Sequence, residues 1–319
     1  MQRYIIRRLL IFVPVLWGIS LMIFLILRIL PGDIAEMLIV GSGSIGLSTQ
    51  ADIDRLREQM GLNRPLPAQY VDWIGGVARL DAGKSLKTGR PVVEEIGRRV
   101  PVTLELAVLS VAFSIFLSIP IGVLSALRQD TWLDYLVRVV AIGGVALPII
   151  WTGTLMVLFL VVFFDWMPPL GFANAWDDPG KNLQQVFWPA LVLGYYFAAV
   201  VARMTRSQML EVLRQDYIRT AWAKGLRERI VVMRHALKNA MLPVVTVIGL
   251  QFGALMGGAV IVEKIFVLPG IGSNLVESIG FRDYPMVQTT ILFIAAAFAF
   301  INLIVDVLYA WLDPKIRYT

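Results

Sequence analysis

The chain of 319 residues is 57 per cent apolar and 16 per cent charged. That is well below the roughly 25 per cent charge of an average soluble domain, which excludes a water-soluble globule and with it a soluble enzyme. Cysteine is absent, excluding a disulfide framework, thiolate metal sites, iron–sulfur clusters and a cysteine nucleophile, and a single histidine, His235, leaves little for a metal site or a Ser-His-Asp relay. A formal charge of +6 admits nucleic acid or anionic lipid as partner, so its distribution decides.

In chain order, six stretches are free of Asp, Glu, Lys and Arg: Leu9 to Leu27, Leu106 to Leu127, Val139 to Phe164, Asn182 to Ala202, Asn239 to Val262 and Tyr284 to Val305. Each holds 19 to 26 residues. A helix of about 20 residues covers about 30 Å, the thickness of the hydrocarbon core, so all six are expected to cross a bilayer. The first run follows Arg3, Arg7 and Arg8, but it exceeds the roughly 7–15 residues of a signal-peptide core and ends in Arg28-Ile-Leu-Pro-Gly-Asp33 with no small-x-small cleavage site. It reads as an uncleaved first helix. Residues 33–99 follow as a long segment with nine basic and nine acidic residues. There Thr49 or Ser48 is expected to cap a short helix ending near Gly61, and Pro65 to start a second running to about Arg79. Pro148, Pro189 and Pro243 are expected to kink spans rather than break them.

Two spans carry small residues every fourth position: Ser110, Ser114, Ser118 and Gly122 on the second, Gly249, Gly253 and Gly257 on the fifth. Such stripes let helix backbones approach closely, and on the fifth span a second use is a face along a solute path. Orientation follows from the short loops. The segments sharing a side with the N-terminus, 1–8, 128–138, 203–238 and 313–319, hold sixteen of the 29 Lys and Arg, against three in 165–181 and 263–283. The positive-inside rule puts both termini in the cytoplasm and residues 33–99 outside.

Residues 203–238 hold nine basic and three acidic side chains, 9 − 3 = +6, so one cytoplasmic loop carries the whole excess. Leu213, Tyr217 and Ala221 recur at i, i+4, i+8, and Ile230, Met233 and Leu237 at i, i+3, i+7 beyond Gly225. This pattern describes two short amphipathic helices broken at a glycine, whose apolar stripes need cover from lipid or from a partner protein. A nucleic acid is not expected.

Two nucleotide-like motifs fail. Gly41-Ser-Gly-Ser-Ile-Gly46 has no strand before it, Gly83-Lys-Ser85 lacks the glycine five positions earlier, and both lie outside the cell. Carboxylates near a mid-span would mark an ion-coupled transporter, yet Glu105 and Asp306 both sit at span ends. An ion-coupled secondary transporter is the competing reading, and an intramembrane enzyme lacks a nucleophile–base pair. Without an ion relay or an ATP site, the energy for transport comes from another chain.

Asp216-Tyr-Ile-Arg-Thr-Ala-Trp-Ala-Lys-Gly225 and Arg234-His-Ala-Leu-Lys-Asn-Ala-Met-Leu-Pro243 resemble the cytoplasmic loop of permease subunits of bacterial ABC importers, with Ala221 and Gly225 at the family's Ala and Gly and Arg219 and Thr220 departing from its Glu-Ala. Leu30-Pro-Gly-Asp33, Thr88-Gly-Arg-Pro91, the run Gly257 to Phe266, Pro269-Gly-Ile-Gly272 and Arg282-Asp-Tyr-Pro-Met-Val-Gln288 are similar to the dipeptide/oligopeptide/nickel branch. The resemblance implies an all-α membrane protein of six transmembrane helices with the type I importer permease fold: an N-terminal helix at 1–32, a small extracytoplasmic subdomain at 33–99 and a five-helix core at 100–319 with a coupling loop at 203–240. It implies a second related permease, two cytoplasmic ATPase subunits that bind ATP and magnesium while this chain holds no cofactor, and an extracytoplasmic solute-binding protein. The setting is the bacterial inner membrane, and the solutes are short peptides, peptide-like molecules or nickel. Leu213, Asp216, Tyr217, Thr220, Ala221, Lys224 and Gly225 would meet an ATPase, and Gly249, Gly253 and Gly257 would border the solute path.

Overall fold

The computed structural model describes residues 2–29, 50–59, 61–169 and 171–312. The expectations placed on Leu30–Asp33, on Gly41–Gly46, on the Ser48 or Thr49 cap and on residues 313–319 lie outside the described residues. The chain is helical: α1 (Gln2–Ile29), α2 (Gln50–Gln59), α3 (Leu66–Ala78), α4 (Val92–Leu127), α5 (Trp132–Ala146), α6 (Ile149–Phe164), α7 (Pro179–Leu213), α8 (Asp216–Ala223), α9 (Glu228–Ile230), a π-helical turn (Val231–Leu237), α10 (Lys238–Gly258), α11 (Val260–Ile265), α12 (Ile271–Gly280) and α13 (Tyr284–Leu312).

Among the described residues five helices are long and apolar enough to cross a bilayer, and α5 with α6 make a sixth crossing if this pair, bent by 104°, is one span. The expectation that Pro148 kinks its span is corrected here, because the helix breaks. The residue before a proline is pushed out of the helical region, and Leu147 is extended at φ −85°, ψ 129°. Pro148 then serves as the N-cap of α6, its carbonyl accepting from the N–H groups of Trp151 and Thr152 at 2.9 and 3.1 Å. Pro189 and Pro243 stay inside α7 and α10.

Two compact units divide the chain. The first takes in Met1–Ile5, Pro101–Ser273 and Ala297–Thr319, and its core gathers Val102, Leu106, Leu193, Leu255, Val262 and Phe266. Here α4 and α7 approach on the small-residue stripe: a Cβ on Gly122 would sit 2.7 Å from Thr205 Cβ, and one on Gly194 2.8 Å from Phe113 Cβ and 2.9 Å from the Ser110 carbonyl oxygen. Ser110, Ser114 and Ser118 are buried, which is the packing use of that stripe.

The second unit takes in Ile6–Val100 and Asn274–Ala296. Phe24 of α1 meets Tyr70 of α3 edge-on at 5.4 Å and stacks on Trp73 at 6.3 Å, while the Ser20 and Tyr70 hydroxyls share a hydrogen bond of 2.7 Å. The turn from Gly83 to Pro91 is closed by a bridge between Lys84 and Pro91, with Gly83 and Gly89 at φ +79° and +71°. Ser85 Oγ donates to Asp283 Oδ2 at 2.5 Å, and Asp283 Oδ1 accepts from the Met286 N–H at 3.3 Å, capping α13. Two sequence motifs nearly 200 residues apart, around Thr88 and around Asp283, are thus one structural knot, linked through residues 198 positions apart.

Candidate functional site

The basic loop folds into α8, the short α9 and the π turn, and these pack on the chain itself. Ile218, Met209, Val231 and Ala236 are fully buried in one apolar cluster that also holds Ala221 at 6 % exposure, Val232 and Ala240. The expected outward stripe is therefore corrected: Ala221 faces inward and Leu213 packs against the same cluster. Of the stripe only Tyr217 stays exposed, because Ile218 anchors the inner face beside Ala221 and the cover for that face is supplied by the π turn about a dozen residues onward.

Two rings remain exposed on α8, five positions and so about 140° apart, one on each flank of the buried face. Tyr217 is 44 % and Trp222 45 % exposed, beside exposed Asp216, Arg219, Thr220 and Lys224. Asp216 pairs with Arg219 at 3.3 Å, the Thr220 hydroxyl donates to the Asp216 carbonyl at 3.0 Å, and Tyr217 Oη accepts from Asn239 Nδ2 at 3.0 Å. Trp222 was missed in the sequence because it lies off the i, i+4 stripe. Ile230 and Met233 are likewise exposed, at 40 % and 55 %.

Gly225 ends α8. Its N–H donates to the Trp222 carbonyl at 2.9 Å and the Leu226 N–H to the Ala221 carbonyl at 3.4 Å, with Gly225 at φ +73°. These two bonds and a left-handed residue make a Schellman close, and Leu226 packs back on the cluster that holds Ala221. A Cβ on Gly225 would meet nothing within 4 Å, so the demand for glycine is conformational only.

A buried carboxylate ties the helices behind this loop. Asp134 of α5 is fully buried and accepts from Ser125 Oγ of α4 at 2.5 Å, from Arg206 Nε and Nη2 of α7 at 2.7 and 2.8 Å, from Arg138 Nη2 at 2.9 Å and from the Asp130 N–H at 3.0 Å. A two-pronged guanidinium grip of this kind fixes both direction and distance. It joins three helices just before α7 enters the loop.

A second buried carboxylate, Glu263 of α11, sits under the start of α12. Thr103 Oγ1 donates to its Oε1 at 2.6 Å and the Ser273 N–H to its Oε2 at 2.8 Å, while Thr103 Oγ1 accepts from the Ile271 N–H at 2.9 Å. Any side chain on Gly270 would overlap the carboxyl, and a Cβ on Gly272 would come within 2.5 Å of Val260. Burial pushes the Glu263 carboxyl above its ordinary value, outweighing the opposing pull of Thr103 and the Ser273 and Gly272 N–H groups. The signal was legible: an acidic residue shortly before a Gly-x-Gly helix start.

On the fifth span, a Cβ on Gly249 would overlap Val305, and one on Gly253 would lie 3.2 Å from Phe298 and 3.5 Å from Asn302 Oδ1. Of the two uses open to this stripe, these contacts favour packing against α13. Gly257 lies within α10, and nothing further is described of its surroundings. His235 is half-buried, and Glu105, also half-buried, accepts from Asn182 Nδ2 at 3.0 Å.

Comparison with known proteins identifies this arrangement. Residues 118–318 match the family described as the binding-protein-dependent transport system inner membrane component, and residues 1–107 match its N-terminal counterpart. The chain is 40 % identical over 338 residues, all of both chains, to the dipeptide transport system permease protein DppB of Alkalihalophilus pseudofirmus. It is 40 % identical over 319 residues, again all of both chains, to the glutathione transport system permease protein GsiC of Escherichia coli strain K12. The chain belongs to the inner-membrane permease components of binding-protein-dependent transport systems.

Proposed function

We propose that this permease subunit passes short peptides or peptide-like solutes and that α8 is its contact with a cytoplasmic ATPase. The observation that carries the docking assignment is the build of α8: its inner face is closed by the chain's own core, while Tyr217 and Trp222 stand exposed on the two flanks of that face. Exposed aromatic side chains on a short braced helix suit a groove, and large rings dominate such contacts. Asp216, Thr220 and Lys224 flank them, and Gly225 sets the turn into α9. Arg219, Lys224, Arg227 and Arg229, all exposed, fit a groove with an acidic rim.

The rest of the assignment follows the charge distribution and the relatives' names. Both termini lie in the cytoplasm, a second related permease completes the path, an extracytoplasmic binding protein delivers solute, and ATP with magnesium is bound by the ATPase subunits. The peptide solute rests on the dipeptide and glutathione permeases to which the chain is similar. Gly249 and Gly253 hold α10 close to α13 and so shape the path through packing, with Gly257 continuing the same stripe. Co-purification tests the docking: the chain carrying Tyr217→Ala with Trp222→Ala is expected to lose its ATPase subunits while remaining in the membrane. Retention of the full ATPase complement would refute it.

A further inference from the structure

The second unit holds a partly open cavity of about 200 Å³, lined by none of the residues assigned to the coupling loop. Arg28 from the last turn of α1, Gln69 and Trp73 from α3, and Tyr284 and Gln288 from α13 line it. One edge of the Arg28 guanidinium is held, with Nε and Nη2 donating to Gln69 Oε1 at 3.4 and 3.2 Å. Gln69 is itself fixed, its amide nitrogen donating to the carbonyls of Leu62 and Arg64 at 3.1 and 2.8 Å. The guanidinium carbon lies 4.3 Å from the Phe24 ring centre and 5.6 Å from that of Tyr284, so the plane of the group is set between rings. The remaining nitrogen, Nη1, is buried and has no hydrogen-bond partner.

A buried guanidinium N–H without a partner is an anomaly in a folded chain and points to an acceptor that completes it. Gln288, only 2 % exposed, adds a primary amide to the same wall. At the rim Arg64 and Asp72 pair with each other, which leaves Arg28 as the uncompensated charge among the lining residues. We propose that this cavity binds the carboxylate of a small organic acid. A planar, singly charged acceptor matches one guanidinium edge. A phosphate dianion would exceed that single charge and face Asp72. The volume, about six or seven waters' share at roughly 30 Å³ each, leaves room for an amino-acid-sized body against Trp73 once the carboxylate is seated. The proposal stands on this cavity alone and is independent of which solute crosses the membrane.

The test uses the full chain in nanodiscs of phosphatidylcholine, with N-acetylalanylalanine as probe, its C-terminal amide as control and equilibrium dialysis as readout. The acid is expected to bind at least tenfold more tightly than the amide. Arg28→Gln should weaken the acid at least tenfold, Arg28→Lys less, and Gln288→Leu a few-fold, with thermal melting confirming that each variant is folded. Equal binding of acid and amide, or an unchanged dissociation constant in Arg28→Gln, would overturn the proposal. Should Arg28→Gln fail to fold, an unchanged constant in Gln288→Leu would do the same. Displacement of the acid by added phosphatidylglycerol in an Arg28-dependent way would assign the cavity to a lipid headgroup instead and end the carboxylate reading.

Discussion

Glu263 is the residue whose chemistry reaches furthest from its own side chain. Its folded-state acidity is weakened by burial, so the protonated form is favoured in the folded chain. The stability it contributes is fully present below the ordinary carboxylate value of 4.5 and is lost as pH rises through the raised folded value. Melting of the wild type should therefore fall as pH rises from 4.5 through that raised value, and Glu263→Gln should flatten the fall. Equal pH profiles for the two proteins would contradict the assignment. Asp134 makes the opposite kind of test. Replacing it by Ala leaves Arg206 and Ser125 without their acceptor and is expected to cost about 3–5 kcal/mol, whereas Asp134→Leu with Arg206→Met should recover most of the loss. Thermal melting in detergent reads both, and an Asp134→Ala protein that melts like wild type would remove the three-helix tie. The two carboxylates differ in how they show in the sequence. Glu263 stands beside a visible helix start, while the partners of Asp134 on other helices, Ser125 and Arg206, lie 9 and 72 residues away and no local pattern announces them.

At the scale of elements, α8 shows what periodicity can and cannot deliver. The spacing of Leu213, Tyr217 and Ala221 marks a helix correctly but does not say which stripe is covered by the chain. Ile218 and Ala221 turn inward because Val231, Val232 and Ala236 of the π turn meet them. Consequently Ala221→Glu buries a charge in the chain's own core and is expected to unfold the loop, so it reports folding rather than docking. Gly225→Ala is the sharper element-level change: it strains a left-handed residue by about 1–2 kcal/mol without adding a clash. It is expected to lower coupled uptake while the chain still inserts and reaches wild-type abundance, as membrane fractionation would show. Uptake equal to wild type would mean that the turn out of α8 is not needed for coupling. Proline placement taught a related lesson. Pro148 breaks its span, whereas Pro189 and Pro243 do not, and what separates them is that Leu147 leaves the helical region and Pro148 opens a new helix.

Over the whole molecule, five of the six apolar runs fall on helices long and apolar enough to cross, because hydrocarbon thickness imposes a length that sequence displays directly, while the run Val139 to Phe164 falls on the bent pair α5 and α6. Their ends were less legible: α4 begins at Val92, ahead of Leu106, and α7 continues to Leu213, beyond Ala202, since helices run on through charged residues once outside the apolar layer. The division into units was not legible, because the alliance of the turn at 83–91 with the start of α13 depends on Ser85 and Asp283 meeting across 198 positions. What unites the levels is the proposal that motion enters through α8. The direct measurement is uptake of a labelled short peptide into proteoliposomes containing this chain, its partner permease, the ATPase subunits and the binding protein. Uptake is expected to require ATP and to fall at least tenfold in the chain carrying Tyr217→Ala and Trp222→Ala, the loss of two aromatic contacts each worth about 2 kcal/mol or more. Undiminished uptake in that variant, or import by this chain alone on an ion gradient without ATP, would contradict the account.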